Sequence, residues 1–149
     1  MMEDRIEKHV ELNAPVGRVW RALTDHREFG EWFRVALDGP FAVGEITRGR
    51  VTYPGYEHLP WQAQVQAMEP ERLFSFTWPQ YDVEADVDYS GEPWTLVEFR
   101  LEPTAGGTRL SITESGFAAL PEGVRLTFQR MNDQGWTQQI SNIQAHVER

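Results

Sequence analysis

A chain of 149 residues with 40% hydrophobic and 25% charged residues carries enough apolar matter for a buried core. Its six Trp, eight Phe and four Tyr make a metal or disulfide staple unnecessary, and with no cysteine the chain excludes disulfides, thiolate metal sites and a cysteine nucleophile. A net charge of −9, with Lys8 the only lysine, argues against nucleic acid as a partner, because phosphate binding draws on clustered Lys and Arg.

The N-terminus, Met1-Met2-Glu3-Asp4-Arg5, is charged and lacks the apolar stretch of a secretory leader. No apolar run approaches ~18 residues, so no membrane span is expected and the location expected is cytoplasmic. Ile6, Val10 and Leu12 alternate with Glu7, His9 and Glu11 as a first strand. Asn13 stands before Ala14-Pro15 as the cap of a helix bearing Val16, Val19, Trp20 and Leu23. Thr24-Asp25 can cap a second short helix that turns Phe29 and Trp32 inward.

After Asp38-Gly39-Pro40 the pattern becomes one of strands. Residues 44–53 form one candidate. From Trp61 to Met68 the alternation is strict, with Trp61, Ala63, Val65 and Ala67 on one face and Gln62, Gln64 and Gln66 on the other. Glu69-Pro70-Glu71-Arg72 is a turn into Leu73–Trp78, whose inward residues are Phe74, Phe76 and Trp78. Residues 95–102 place Val97, Phe99 and Leu101 inward, and a glycine hairpin at 104–107 leads into 108–115 with Leu110 and Ile112 inward.

The last segment, from about Pro121 to Val147, is helical. Plotted at about 100° per residue, Val124, Phe128, Met131 and Gly135 form one stripe, while Trp136, Ile140, Ile143 and Val147 form another rotated by roughly 100°. Two readings fit. Either the helix curves around its sheet with Gly135 permitting close approach, or its second half packs on the sheet while its first half lids a hollow.

Few motifs carry recognisable chemistry. Asp82, Glu84, Asp86 and Asp88 imitate the start of a calcium loop, but Val87 and Pro93 stand where that loop needs glycine and glutamate. The alternation over 81–89 reads instead as an exposed edge strand with its acids outward. His9, His26, His58 and His146 lack metal-ligand spacing, so no metal site is expected. No phosphate-binding loop, dinucleotide fingerprint or hydrolase elbow is present, and no cofactor is expected.

Several of these patterns together resemble a known family. They are Ala14-Pro15 with Val19-Trp20 and Leu23-Thr24-Asp25, then Glu31-Trp32-Phe33, Glu69-Pro70-Glu71-Arg72-Leu73 and Phe76-Thr77-Trp78. Thr108-Arg109-Leu110, Ser115-Gly116-Phe117 and Gly135-Trp136 complete the set. In this order they resemble the activators of the heat-shock-protein-90 ATPase, within the START-like (SRPBCC) superfamily. The resemblance implies one α+β domain over residues 1–149 with a helix-grip fold. Its curved antiparallel sheet of about six or seven strands wraps a long C-terminal helix, with two short helices after the first strand. It also implies a cavity between sheet and helix of the kind used for apolar molecules, without naming the ligand.

Inward parity then nominates the site. Trp32, Trp61, Phe76, Trp78 and Phe99 are candidate apolar walls, joined by Phe117, Phe128 and Met131 from the C-terminal part. Glu114 continues the inward face of Leu110 and Ile112, and Arg48 and Arg50 fall inward with Ile46 and Thr52 on one register. These three are candidate polar contacts, the arginines as anchors for a ligand carboxylate. The leading expectation is a protein that binds a small apolar or amphipathic molecule, with no catalytic residue assigned. A cyclase, hydratase or isomerase using Glu114, His58 or an arginine is the second. A protein-interaction module like the co-chaperones is the third, although the eukaryotic activators carry an additional N-terminal domain for which this chain has no room. A homodimer and a chaperone contact are both compatible with the pattern, but no residue nominates either.

Overall fold

The computed structural model describes residues 4–149, so Met1, Met2 and Glu3 of the charged N-terminus lie outside the described residues. A first strand, β1 (Arg5–Leu12), is followed by two short helices, α1 (Val16–Thr24) and α2 (His26–Phe33). Then come β2 (Val35–Leu37), β3 (Ile46–Val51), β4 (Pro60–Glu69) and β5 (Leu73–Trp78). A small hairpin, β6 (Tyr81–Asp82) and β7 (Val87–Asp88), precedes β8 (Thr95–Thr104) and β9 (Gly107–Ser115). The chain closes with a 3-10 turn at Phe117–Ala119 and the long helix α3 (Glu122–Val147).

Seven strands form one sheet in the order β1-β9-β8-β5-β4-β3-β2. All neighbours are antiparallel. One face is buried, which is why the apolar residues alternate. Ala63, Val65, Phe74, Phe76, Val97, Phe99 and Leu110 have essentially no exposed surface. This is the helix-grip α+β architecture the sequence leads one to expect.

Local chemistry explains most element boundaries. Asp25 caps α2, its carboxylate accepting from the backbone N–H groups of Arg27 and Glu28 at 2.9 and 3.1 Å. Asn13 does not cap α1. Pro15 holds the cap position in extended geometry, and the Asn13 backbone N–H instead donates to Glu148 at 2.9 Å. Trp32 is held by a 2.8 Å hydrogen bond from its indole N–H to the Ala22 carbonyl.

Three strand expectations need correction. Arg48 and Arg50 are exposed on the convex face of β3, whereas Thr47 and the partly buried Gly49 and Val51 take the other parity. In β4 a bulge between Val65 and Ala67 flips the alternation, so Met68, paired with Phe74, joins the core edge. Residues 81–89 are not an edge strand of the main sheet. They fold back as the separate β6–β7 hairpin, turned by the Asp82 carboxylate accepting from the N–H groups of Glu84 and Ala85.

The two stripes of α3 prove to be one. Phe128, Asn132 and Trp136 follow at four-residue spacing, and Asn132 fills inward space that an apolar plot leaves blank. Ile143, His146 and Val147 continue the buried face. Gly135 is exposed, and a side chain there would meet nothing within 4 Å, so it does not serve a close approach.

Far from the sheet's centre, Glu28 ties the three helices together. It accepts from Arg18 at 2.6 Å, Arg21 at 2.8 Å and the His146 ring at 2.9 Å, while Arg149 donates to the other His146 nitrogen at 2.7 Å. Burial pushes the Glu28 carboxyl upward, but the hydrogen bonds from His146, Arg18 and Arg21 and the Arg18 charge together hold it below its ordinary 4.5. A carboxyl lowered in the folded state contributes stability above its unfolded pKa, and that contribution disappears as pH falls through the folded value. Urea midpoints should therefore fall on acidification from pH 4.5 downward. Glu28→Gln should flatten that part of the profile, and an unchanged slope would refute the assignment.

Candidate functional site

The site is built around Glu114. On β9 it occupies the inward parity, opposite Ile6 of β1 on one side and Val97 of β8 on the other, and it is completely buried. A carboxylate in this position calls for a cation or a full set of donors. No Lys, Arg or His among the described residues pairs with it. Instead Trp78 and Trp136 donate their indole N–H groups at 2.8 and 2.9 Å, and the Thr95 hydroxyl donates at 2.7 Å. The Asn132 amide donates at 3.0 and 3.1 Å, and Gln80 lies at 3.5 Å. Gln80 also donates to Thr95 at 2.8 Å and accepts from Asn132 at 2.8 Å.

These donors come from the end of β5, the segment after it, the start of β8 and the middle of α3. One carboxylate thus joins the sheet to the long helix. Both of its oxygens are taken by protein donors, so it acts as a clamp that orients Trp78, Gln80 and Asn132.

Beside this clamp a cavity of about 260 Å³ opens. Phe33, Trp61 and Trp78 form its aromatic walls, Val51, Leu59 and Pro60 its aliphatic ones, and Gln80 and Asn132 its polar end. Phe33 meets Trp61 and Trp78 edge-to-face, each at 5.9 Å between ring centroids, and Trp61 meets Trp78 at 6.1 Å. A smaller hollow of about 120 Å³ lies across Asn132, bordered by Phe33, Trp78, Met131 and Trp136. The indole N–H of Trp61 is buried and has no acceptor among the described residues.

Two segments frame the mouth. One is the loop between β3 and β4, which supplies Leu59, and the other is the β6–β7 hairpin, which supplies Tyr81, Val83 and Asp88. His58 on the loop stands 4.0 Å from Asp86 on the hairpin, and Tyr81 hydrogen-bonds the same carboxylate. That bond, with smaller contributions from burial and the Asp86 and Asp88 charges, raises the Tyr81 phenol above its ordinary value. Tyr53, Tyr56, Val83 and Val87, all exposed, lie on these two segments.

Of the residues nominated from sequence, Trp61 and Trp78 line the larger cavity, Met131 and Trp78 the smaller, and Glu114 stands behind both. Trp32, Phe76, Phe99, Phe117 and Phe128 border neither cavity and are buried in the core. Phe128 is covered by Tyr89 at 5.0 Å, so the space expected beneath the first half of α3 is filled at that residue and open only at Met131 and Asn132. Arg48 and Arg50 point away, and His58 is in solvent at the rim. Sequence reasoning missed Phe33, Gln80 and Asn132. Phe33 follows Trp32 on α2 and was discoverable, whereas the two amides carry no signal until the fold assembles them. Among the described residues no group of three His, Asp or Glu side chains could hold a metal ion.

Among the described residues no helix is long and apolar enough to cross a membrane. The fold recurs in solved structures. MLL2253 from Mesorhizobium loti superposes with a TM-score of 0.75 at 24% identity, covering 97% of this chain and 96% of that one. A protein from Arthrobacter aurescens gives 0.78 at 20% identity, covering 97% and 86%. DynU16, from the dynemicin biosynthetic locus, gives 0.75 at 23% identity, and this chain, 99% covered, spans 48% of it. At these identities the likeness is one of fold. No curated protein matches the chain. Residues 13–148 match the family described as Activator of Hsp90 ATPase homolog 1-like protein, and the chain belongs to that family.

Proposed function

We propose that this protein binds a small apolar or amphipathic molecule in the cavity walled by Phe33, Trp61 and Trp78. The observation that carries the reading is an aromatic hollow of about 260 Å³ whose polar end, Gln80 and Asn132, is held rigid by a buried carboxylate. Binding sites pair apolar walls with a few fixed polar groups in this way, at about 300–1,000 Å³ for drug-sized ligands. The ligand here is correspondingly compact. Apolar side chains exposed on both rim segments suit an entrance for such a molecule. The neighbour of the same fold in a biosynthetic locus is consistent with small-molecule chemistry.

Native mass spectrometry of protein purified gently from its own host tests the proposal. A retained ligand is expected as a discrete mass shift that Trp61→Ala or Trp78→Ala removes. A bare polypeptide mass, together with unchanged tryptophan fluorescence across neutral aromatic molecules of naphthalene size, would sink it.

A further inference from the structure

We infer that the ligand is a hydrophobic cation, a protonated amine carried on a compact apolar body. This rests on the cavity reading above and adds the charge of the occupant. Four observations converge on it.

The first is the donor and acceptor balance of the polar end. The amide N–H groups of Gln80 are spent on Thr95 and Glu114, and those of Asn132 on Glu114 and the Gln80 oxygen. Asn132 borders both cavities, and its carbonyl oxygen accepts no hydrogen bond from any described residue. The unmatched amide group is therefore an acceptor, which suits a ligand that donates.

The second is charge. The residues lining the larger cavity include Asp88 and no Lys, Arg or His. Behind Trp78, Gln80 and Asn132 stands Glu114, hydrogen-bonded but without a cationic partner. Asp82, Glu84 and Asp86 share the rim hairpin with Asp88. His58 borders the rim, but it faces Asp86 and is not part of the lining. A ligand carboxylate would enter against these charges with no guanidinium to receive it, because Arg48 and Arg50 are on the opposite face of β3.

The third is the walls. Phe33, Trp61 and Trp78 crowd one another at centroid separations of 5.9 to 6.1 Å, and aromatic faces attract a cation through the negative charge of their π-clouds. The fourth is the long-range field. A net charge of −9 draws cations toward the surface and repels anions. One feature opposes these, the buried Trp61 N–H, which would donate to an anionic or neutral oxygen. A single neutral donor does not offset a carboxylate in the lining and a second, unneutralised one behind it.

An isosteric set decides the matter on the whole, folded protein. 2-Phenylethylammonium, its neutral carbon analogue propylbenzene and the anion 3-phenylpropanoate are titrated while following tryptophan fluorescence and NMR shifts of the indole N–H groups. The cation is expected to bind about tenfold more tightly than the neutral analogue, with the anion weakest. Added salt should weaken the cation alone. Asp88→Asn, which keeps the oxygen that accepts from the Ser90 N–H, should weaken the cation and leave the neutral analogue unchanged. If the neutral analogue or the anion binds as tightly as the cation, the charge assignment is overturned while the cavity reading stands. If none of the three binds, the assignment is overturned as well, and a bare native mass would then remove the cavity reading with it.

Discussion

Replacing Glu114 by alanine is expected to destabilise the fold by about 4 kcal/mol, an effect at the upper end for one substitution. The carboxylate receives donors from Trp78, Thr95, Asn132 and Trp136, with Gln80 at the limit of bonding distance. Each buried donor left without an acceptor costs about 1–3 kcal/mol. Not all of them will remain unmatched, because Trp78 and Asn132 border cavities where water can replace the lost oxygen. Thr95 is completely buried away from both cavities, and Trp136, although it borders the smaller hollow, is only 2% exposed, so these two set the size of the loss. Glu114→Gln keeps one acceptor oxygen but turns an amide N–H toward groups that can only donate, and should lose about half as much. Urea unfolding monitored by near-ultraviolet circular dichroism measures both. A loss below about 1 kcal/mol for the alanine variant would mean that water already reaches the carboxylate.

The same clamp shows how far the sequence could be read. Strict alternation along 108–115 was enough to identify Glu114 as a carboxylate on an apolar face. The parity of 61–68 and 73–78 likewise placed Trp61 and Trp78 inward. These signals are local, fixed by the two-residue period of a strand. The partners of Glu114 are not local, since Gln80 and Asn132 are 34 and 18 residues away along the chain. A polar side chain at an inward helical position is also invisible to an apolar plot, which is why α3 seemed to shift its face at Gly135-Trp136. The cavity itself moved for a related reason. The acidic segment 81–89 looked like an edge strand, but it folds back as a hairpin, and Tyr89 beyond it covers Phe128. Space beside Phe128 is filled, and the hollows open further along α3, at Met131 and Asn132, where β4 begins and β5 ends.

The misplacement of Arg48 and Arg50 has a physical origin that leads to the second large effect. With two arginines and a glycine in Thr47-Arg48-Gly49-Arg50-Val51, neither parity is strongly apolar, so the pattern alone leaves the register open. Gly49 settles it. A Cβ built there would lie 2.2 Å from the Ala36 carbonyl oxygen and 3.0 Å from both the Ala36 carbonyl carbon and the Leu37 Cα. All three are backbone atoms of β2, which cannot rotate away as a side-chain tip could. The glycine is therefore required for the close approach of β2 to β3, and its parity carries Thr47 and Val51 with it while the arginines take the other face. Gly49→Ala should destabilise by about 2–3 kcal/mol, the cost of forcing backbone apart in a packed region. Gly39→Ala and Gly91→Ala, where a Cβ would meet nothing within 4 Å, should stay within about 0.5 kcal/mol of the parent. The consequence extends to the site, because Val51 pairs with Val35 of β2 and lines the cavity. Displacing this edge should weaken ligand binding in the Gly49 variant, while the two control variants bind as the parent does. A Gly49→Ala protein as stable as its parent would show that β2 yields without cost, and the glycine could then no longer account for the register of β3.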